Sequence, residues 1–148
     1  MNDPEAELAR FLAKYSPEIA ARGGAIIARL RAELPAANVL VYDNYNVLAV
    51  GFAANHKVSG VILSVALYPR WVSIFMSAKL DDPTGILKGA GGTVRHVVLD
   101  DVTGLDRPDI AALIAQAVAR AQPPLEAGEQ GRLVIKSVSA KQRPRRPG

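Results

Sequence analysis

Two short stretches carry the residues best suited to chemistry. Val41-Tyr42-Asp43-Asn44-Tyr45-Asn46-Val47 places five polar or aromatic side chains between apolar arms, and Tyr68-Pro69-Arg70-Trp71 closes a later apolar run. Asp43, Asn44 and Asn46 suffice for a turn, because Asp and Asn tolerate left-handed backbone and bond their own main chain. A turn does not need Tyr42 or Tyr45. The two stretches hold three of the four tyrosines and the only tryptophan. Aromatic side chains with arginine are over-represented where proteins recognise partners, and their plainer use is a small apolar cluster under the loops. Tyr42, Asp43, Tyr45, Tyr68, Arg70 and Trp71 are therefore the candidate ligand- or partner-binding residues.

A third stretch, Leu87-Lys88-Gly89-Ala90-Gly91-Gly92-Thr93-Val94-Arg95-His96, combines glycines with three basic side chains. Backbone N–H groups of glycine-rich loops can hold phosphate, which makes Lys88, Arg95 and His96 candidate anion contacts. The stretch lacks G-x-x-x-x-G-K-[ST], and a dinucleotide fingerprint opens a helix, whereas here strand-like residues follow. A flexible connection is the simpler reading.

Other chemistries have less support. There is no cysteine, which removes disulfides, thiolate metal sites and a thiol nucleophile. His56 and His96 are the only histidines, and neither has a neighbour at metal-ligand spacing. Asp81-Asp82 and Asp100-Asp101 are the only adjacent acid pairs, a weak hard-cation signal. No G-x-S-x-G elbow is present, and an acid–base pair of His96 with Asp43 requires the fold to bring them together. No catalytic residue and no metal ligand is assigned.

The elements that position these residues follow from periodicity. Asp3-Pro4-Glu5 and Ser16-Pro17-Glu18 are helix starts, each with a capping acceptor, a proline at the first helical position and an early acid. Leu8, Phe11, Leu12 and Tyr15 make one apolar face, and Ile19, Ile26, Ile27, Leu30 and Leu34 make the next, up to Pro35. Gly23-Gly24 lies inside that second helix and costs about 1 kcal/mol per glycine against alanine, so a kink or a close backbone approach is expected there. From residue 38 the period becomes two. Val39 to Asp43 and Val47 to Ala53 read as one hairpin; residues 61–68 and 72–77 read as a second, turned by Tyr68-Pro69-Arg70-Trp71. Thr93 to Leu99 is a fifth strand, and Asp106-Arg107-Pro108-Asp109 opens a last helix that Pro123-Pro124 ends. Strands joined by short loops are antiparallel. The expected fold is α+β: two N-terminal helices, an antiparallel sheet of four to five strands, a C-terminal helix packed on the sheet, and an extended basic tail.

The chain has 148 residues, enough for one domain with a real core. Residues 1–121 hold twelve Lys/Arg and twelve Asp/Glu, whereas residues 122–148 hold six Lys/Arg against two Glu, so the net charge of +4 belongs to the end of the chain. The division is a domain over 1–124 and a basic extension over 125–148. Leu133-Val134-Ile135 reads as a short strand or an ordered arm, and residues 142–148 read as a solvated tail. Basic arms bind phosphate backbones, but this one has no interleaved aromatics, so nucleic acid is expected only through the tail. The N-terminal residues lack the apolar core of a signal peptide, and the uncharged run Val58 to Pro69, which ends in a proline, is too short to span a bilayer. A cytoplasmic location without membrane contact is the expectation.

The stretches FLAKYSPEIAA, LVYDNYNVLAVGF, ALYPRWVSIFM, GILKGAGGTVRHVVLD and IAALIAQAVARA give residues 8 to 121 a resemblance to the YdhG-like domain family of unknown function. The resemblance implies a helical pair, an antiparallel sheet and a closing helix, with the tail as an extension of one branch. One branch of that family is described as frataxin-like iron chaperones, which implies an iron-binding role with exposed carboxylates. The leading expectation is a non-catalytic module that binds a small molecule or a partner protein. An iron chaperone is the alternative, and an enzyme on a small anionic substrate the third. A homodimer through an exposed sheet face or edge fits the pattern as well.

Overall fold

The structure is a computed structural model that describes residues 3–147; the final residue of the expected tail, Gly148, lies outside them. Helix α1 (Pro4–Leu12) starts where the sequence places it, with Asp3 Oδ1 accepting from the Glu5 amide at 3.2 Å. Helix α2 (Pro17–Glu33) is capped by Ser16, whose Oγ accepts from the Ile19 amide at 3.4 Å. Six strands follow: β1 (Asn38–Asp43), β2 (Leu48–Ala53), β3 (Val61–Leu67), β4 (Val72–Ser77), β5 (Val94–Leu99) and β6 (Leu133–Val138). Helix α3 (Pro108–Ala119) lies between β5 and β6 in the chain.

The sheet runs β5-β4-β3-β2-β1-β6. The first five strands are antiparallel neighbours, as short connections require. β6 departs from the expectation in two ways. It adds a sixth strand, and it pairs parallel to β1, with Val39 opposite Leu133 and Val41 opposite Ile135. The sheet is therefore mixed. Parallel pairing needs a long crossover, and residues 44–132 supply it.

The period-two alternation sorts the strands into two faces. Val39, Val41, Leu48, Val50, Phe52, Leu63, Val65, Leu67, Val72, Ile74, Met76, Val97 and Leu99 join the apolar faces of all three helices in one core. The helices thus cover one face of the sheet. The other face carries smaller and mixed residues, among them Tyr42, Ala49, Gly51, Ser64, Ser73, Phe75 and His96.

Gly23 shows why α2 tolerates a poor helix former. A Cβ there would lie 2.4 Å from Leu67 Cδ2 and 2.8 Å from its Cγ. Leu67 is fully buried, so it has nowhere to move. At Gly24 the nearest atom to an added methyl is Leu12 Cδ1 at 3.8 Å, an ordinary contact. Gly23→Ala is expected to destabilise by about 1–3 kcal/mol through overpacking, while Gly24→Ala gains up to about 1 kcal/mol of helix propensity. Urea unfolding of the two variants checks the contrast; equal effects would show that α2 does not approach β3 this closely.

Candidate functional site

The pairing of Leu48 with Leu67 puts the β1–β2 and β3–β4 tips at the same end of the sheet. The nine candidate residues nevertheless divide among four places rather than forming one surface.

Asp43, the last residue of β1, faces the helices and is fully buried. Its carboxylate accepts from Lys14 Nζ at 2.7 Å and from Arg145 Nη2 at 2.9 Å. The Asp43 carbonyl accepts from the Ser139 amide at 2.8 Å and from Gln142 Nε2 at 3.1 Å. Burial alone would raise the carboxyl pKa, but the side chains of Lys14, Gln142 and Arg145 around it hold it below the usual carboxylate range. Asp43 is thus not presented to a ligand: its charge is spent inside the fold. Arg145 is buried too, and its guanidinium lies 5.8 Å over the ring of Tyr15. Tyr15 in turn donates its hydroxyl to the Leu67 carbonyl at 2.7 Å and accepts from the Leu48 amide at 3.1 Å. Burial pushes the Tyr15 phenol up to about 12.

The same contacts correct the reading of residues 142–148 as a solvated tail. Through residue 146 this segment is held: the Arg143 amide donates to the Tyr45 carbonyl at 2.9 Å, and Arg146 Nε donates to the Lys14 carbonyl at 3.2 Å. A buried guanidinium with a buried carboxylate outweighs the hydration of the charges beside it.

Tyr45, Tyr68, Arg70 and Trp71 stay at the sheet end. Tyr45 is 45% exposed and Trp71 41% exposed. Trp71 stacks on Tyr68, with ring centroids 4.8 Å apart and planes 20° from parallel. Lys88, Arg95 and His96 occupy the opposite margin. Lys88 and His96 exchange backbone hydrogen bonds at 2.7 and 2.9 Å, which folds the glycine-rich loop back on β5 as a small edge hairpin. Gly89, at φ +121°, has a conformation only glycine adopts readily. Arg95 Nε donates to the Gly91 carbonyl at 3.3 Å, so one of the three cations is engaged by the loop itself.

His96 lies over Phe75, with ring centroids 5.3 Å apart. It projects from the open face of β5, whereas Asp43 projects from the helix-covered face of β1, four strands away. An acid–base pair of the two is excluded. Among the described residues no three His, Asp or Glu side chains gather in a way that could hold a metal ion. Many of the carboxylates already face arginines: Glu5 with Arg31 at 2.7 Å, Asp81 with Arg120 at 2.8 Å, and Asp106 and Glu33 with Arg29.

Tyr42 marks the fourth place. One residue before Asp43, it points to the open face and lines a cavity of about 560 Å3 with Val58, Ile62, Ser64, Phe75, Val94 and their neighbours. No charged side chain lines it. The loop between β2 and β3 helps to wall it. Lys136 of β6 holds that loop, donating to the His56 carbonyl at 2.8 Å, and His56 Nε2 pairs with Asn38 Oδ1 at 3.0 Å. Val61 closes over Gly51, where a Cβ would meet its methyl at 3.2 Å. The Tyr42 hydroxyl is buried and has no hydrogen-bond partner in the chain; burial raises its pKa, which keeps it a neutral phenol at physiological pH.

Sequence reasoning includes Tyr42 but not the residues that accompany it. Val58, Ile62, Ser64, Phe75 and Val94 carry no motif. Alternation along β3 and β4 assigns Ile62, Ser64 and Phe75 to one face, and that is the available signal. No helix among the described residues is long and apolar enough to cross a membrane. Comparison with protein-family models, with curated proteins and with solved structures returned no match.

Proposed function

We propose that this chain is a non-catalytic binding module whose ligand is a small, uncharged, largely apolar molecule held on the open face of the sheet. The observation that carries the reading is the Tyr42 hydroxyl. A buried polar group without a partner costs about 1–3 kcal/mol; this one belongs to a ring that lines a cavity of about 560 Å3, within the range typical of small-molecule sites, and a small displacement of that ring would bring the hydroxyl to a ligand. The apolar wall, with Phe75 on one side, suits an aromatic or alicyclic body. Tyr42 and Ser64 suit one carbonyl or hydroxyl on that body. The absence of charge from the lining disfavours an anionic substrate in this cavity, and the resemblance to YdhG-like domains supplies a fold without a ligand.

Coumarin, 2-naphthol and 2-naphthoate are suitable probes, read by amide chemical shifts of the labelled protein. The neutral pair is expected to move the amides of residues 58–64, 75–77 and 93–94, and the carboxylate to bind more weakly. Tyr42→Phe removes one hydrogen bond and is expected to weaken coumarin by about 2- to 10-fold while leaving thermal stability unchanged or higher. Ser64→Leu fills the cavity and is expected to abolish the shifts. Binding that survives both substitutions, or that prefers the carboxylate, would overturn the proposal.

A further inference from the structure

A different part of the molecule carries a second binding surface, independent of the cavity. At the sheet end, elements far apart in the chain are set side by side. In spatial order they are the acidic turn Asp100-Asp101 after β5, the β3–β4 tip with Tyr68, Arg70 and Trp71, the β1–β2 tip with Tyr45, and the tail leaving β6. The tail's docking is fixed by the buried Arg145–Asp43 pair. That pair leaves Lys141 and Arg143 exposed, and Arg143 is joined through its backbone to Tyr45. Arg70 is exposed on the neighbouring tip. Lys141, Arg143 and Arg70 have no carboxylate partner among the described residues, unlike Arg29, Arg31, Arg107 and Arg120.

The two tips are two strand spacings apart, about 10 Å. Each offers an exposed aromatic ring, and in one of them a second ring, Tyr68, braces Trp71 from behind. Rings held rigidly beside unpaired cations are the parts from which single-strand binding surfaces are made: bases stack on the rings and phosphates meet the cations. The tail by itself lacks aromatics; folding supplies them.

We propose that this end of the sheet binds single-stranded nucleic acid, with Trp71 and Tyr45 as stacking platforms and Arg70, Lys141 and Arg143 as phosphate contacts. The strand would run from the Trp71 tip toward the tail, because Asp100 and Asp101 repel phosphate on the other side.

The test uses the full chain and fluorescein-labelled dT12, read by anisotropy across a salt series. Trp71 is the only tryptophan, so its emission reports stacking directly and is expected to be quenched on binding. Trp71→Ala is expected to weaken binding about 5-fold or more. Lys141→Ala with Arg143→Ala is expected to reduce the slope of log K against log salt by about 1.4, two phosphates at about 0.7 each. Lys141 and Arg143 are exposed, so the thermal midpoint should not move in the double variant; Trp71→Ala also removes the stack on Tyr68, so a small fall in its midpoint with the fold retained is expected. Binding without Trp71 quenching, equal binding of a duplex of the same length, or equal binding of a labelled polyglutamate would each overturn the proposal. The last result would assign the surface to an acidic peptide, and no binding at low salt would remove it altogether.

Discussion

Asp43→Asn is expected to lower the unfolding free energy by about 3–5 kcal/mol, the usual cost of taking one partner from a buried ion pair. For a chain of this size that is a fall of about 6–20 °C in the thermal midpoint. The substitution keeps the shape of the side chain, so the loss comes from charge. Arg145 would be left buried with a carboxamide at 2.9 Å in place of a carboxylate. Lys14 can swing into solvent; Arg145 cannot without carrying the tail with it. Arg145→Met alone should cost less than Asp43→Asn, because Lys14 still neutralises the carboxylate at 2.7 Å. The double variant should cost less than the two singles added together, since the second change removes a group the first had stranded. Strict additivity in urea titrations would show that the pair is not coupled.

The sign of the pH dependence follows from the depressed Asp43 pKa. A carboxyl whose folded value lies below its unfolded value binds more protons when unfolded. Its contribution is fully present above the unfolded value, about 3.9, and disappears as pH falls through the folded value. The stability gap between the natural chain and Asp43→Asn should therefore be constant near neutrality and close below about pH 4. A gap that persists in acid would mean that the substituted carboxamide fails for reasons of packing and not of charge.

Local signals account for what the sequence makes legible. Asp3 and Ser16 announce helix starts because a capping oxygen, a proline and an acid act within four residues of one another. The hairpin faces are readable because alternation is a two-residue rule, and Leu63, Val65 and Leu67 turn inward as that rule requires. Asp43 reads as an exposed turn residue by the same local logic, and there the logic fails. What removes it from the surface is Arg145, 102 residues later, inside a stretch whose prolines and charges otherwise describe a solvated end. β6 escapes local reasoning likewise: Leu133-Val134-Ile135 suggests a strand, but nothing nearby states which edge it joins or in which direction. The cavity beside Tyr42 depends on a loop, residues 54–60, that has no periodicity at all and is held over the sheet by Lys136 and Asn38.

Ending the chain at residue 130 puts the largest demand on this picture. Division by composition gives a domain over residues 1–124, and by that division the shorter chain folds unchanged. The contacts argue otherwise. Without residues 131–148, β1 becomes an edge strand and exposes the backbone of Val39, Leu40 and Val41, an invitation to intermolecular pairing. Helix α1 loses the strand it packs on, and Asp43 keeps Lys14 but loses Arg145. The loop over the Tyr42 cavity also loses its tether from Lys136. The loss should reach about 5 kcal/mol: the β6–β1 ladder, the packing of α1 on β6 and the apolar burial of Leu133 and Ile135 go together with Arg145, whose own removal costs less than Asp43→Asn because Lys14 remains. Low solubility or a midpoint at least about 10 °C lower is the expected result. A gentler version is Gly131→Ala. The added Cβ would stand 1.7 Å from the Ala37 carbonyl oxygen, a backbone atom that cannot rotate away, so the entry to β6 must shift. Hydrogen exchange should then quicken at Val39, whose amide donates to the Arg132 carbonyl at this junction, and less at Ser139, whose amide donates to the Asp43 carbonyl at the far end of β6, while β3 and β4 stay protected. If instead residues 1–130 melt at the temperature of the whole chain, then β6 and the tail add nothing to the fold, and the buried Arg145–Asp43 pair does not hold them in place.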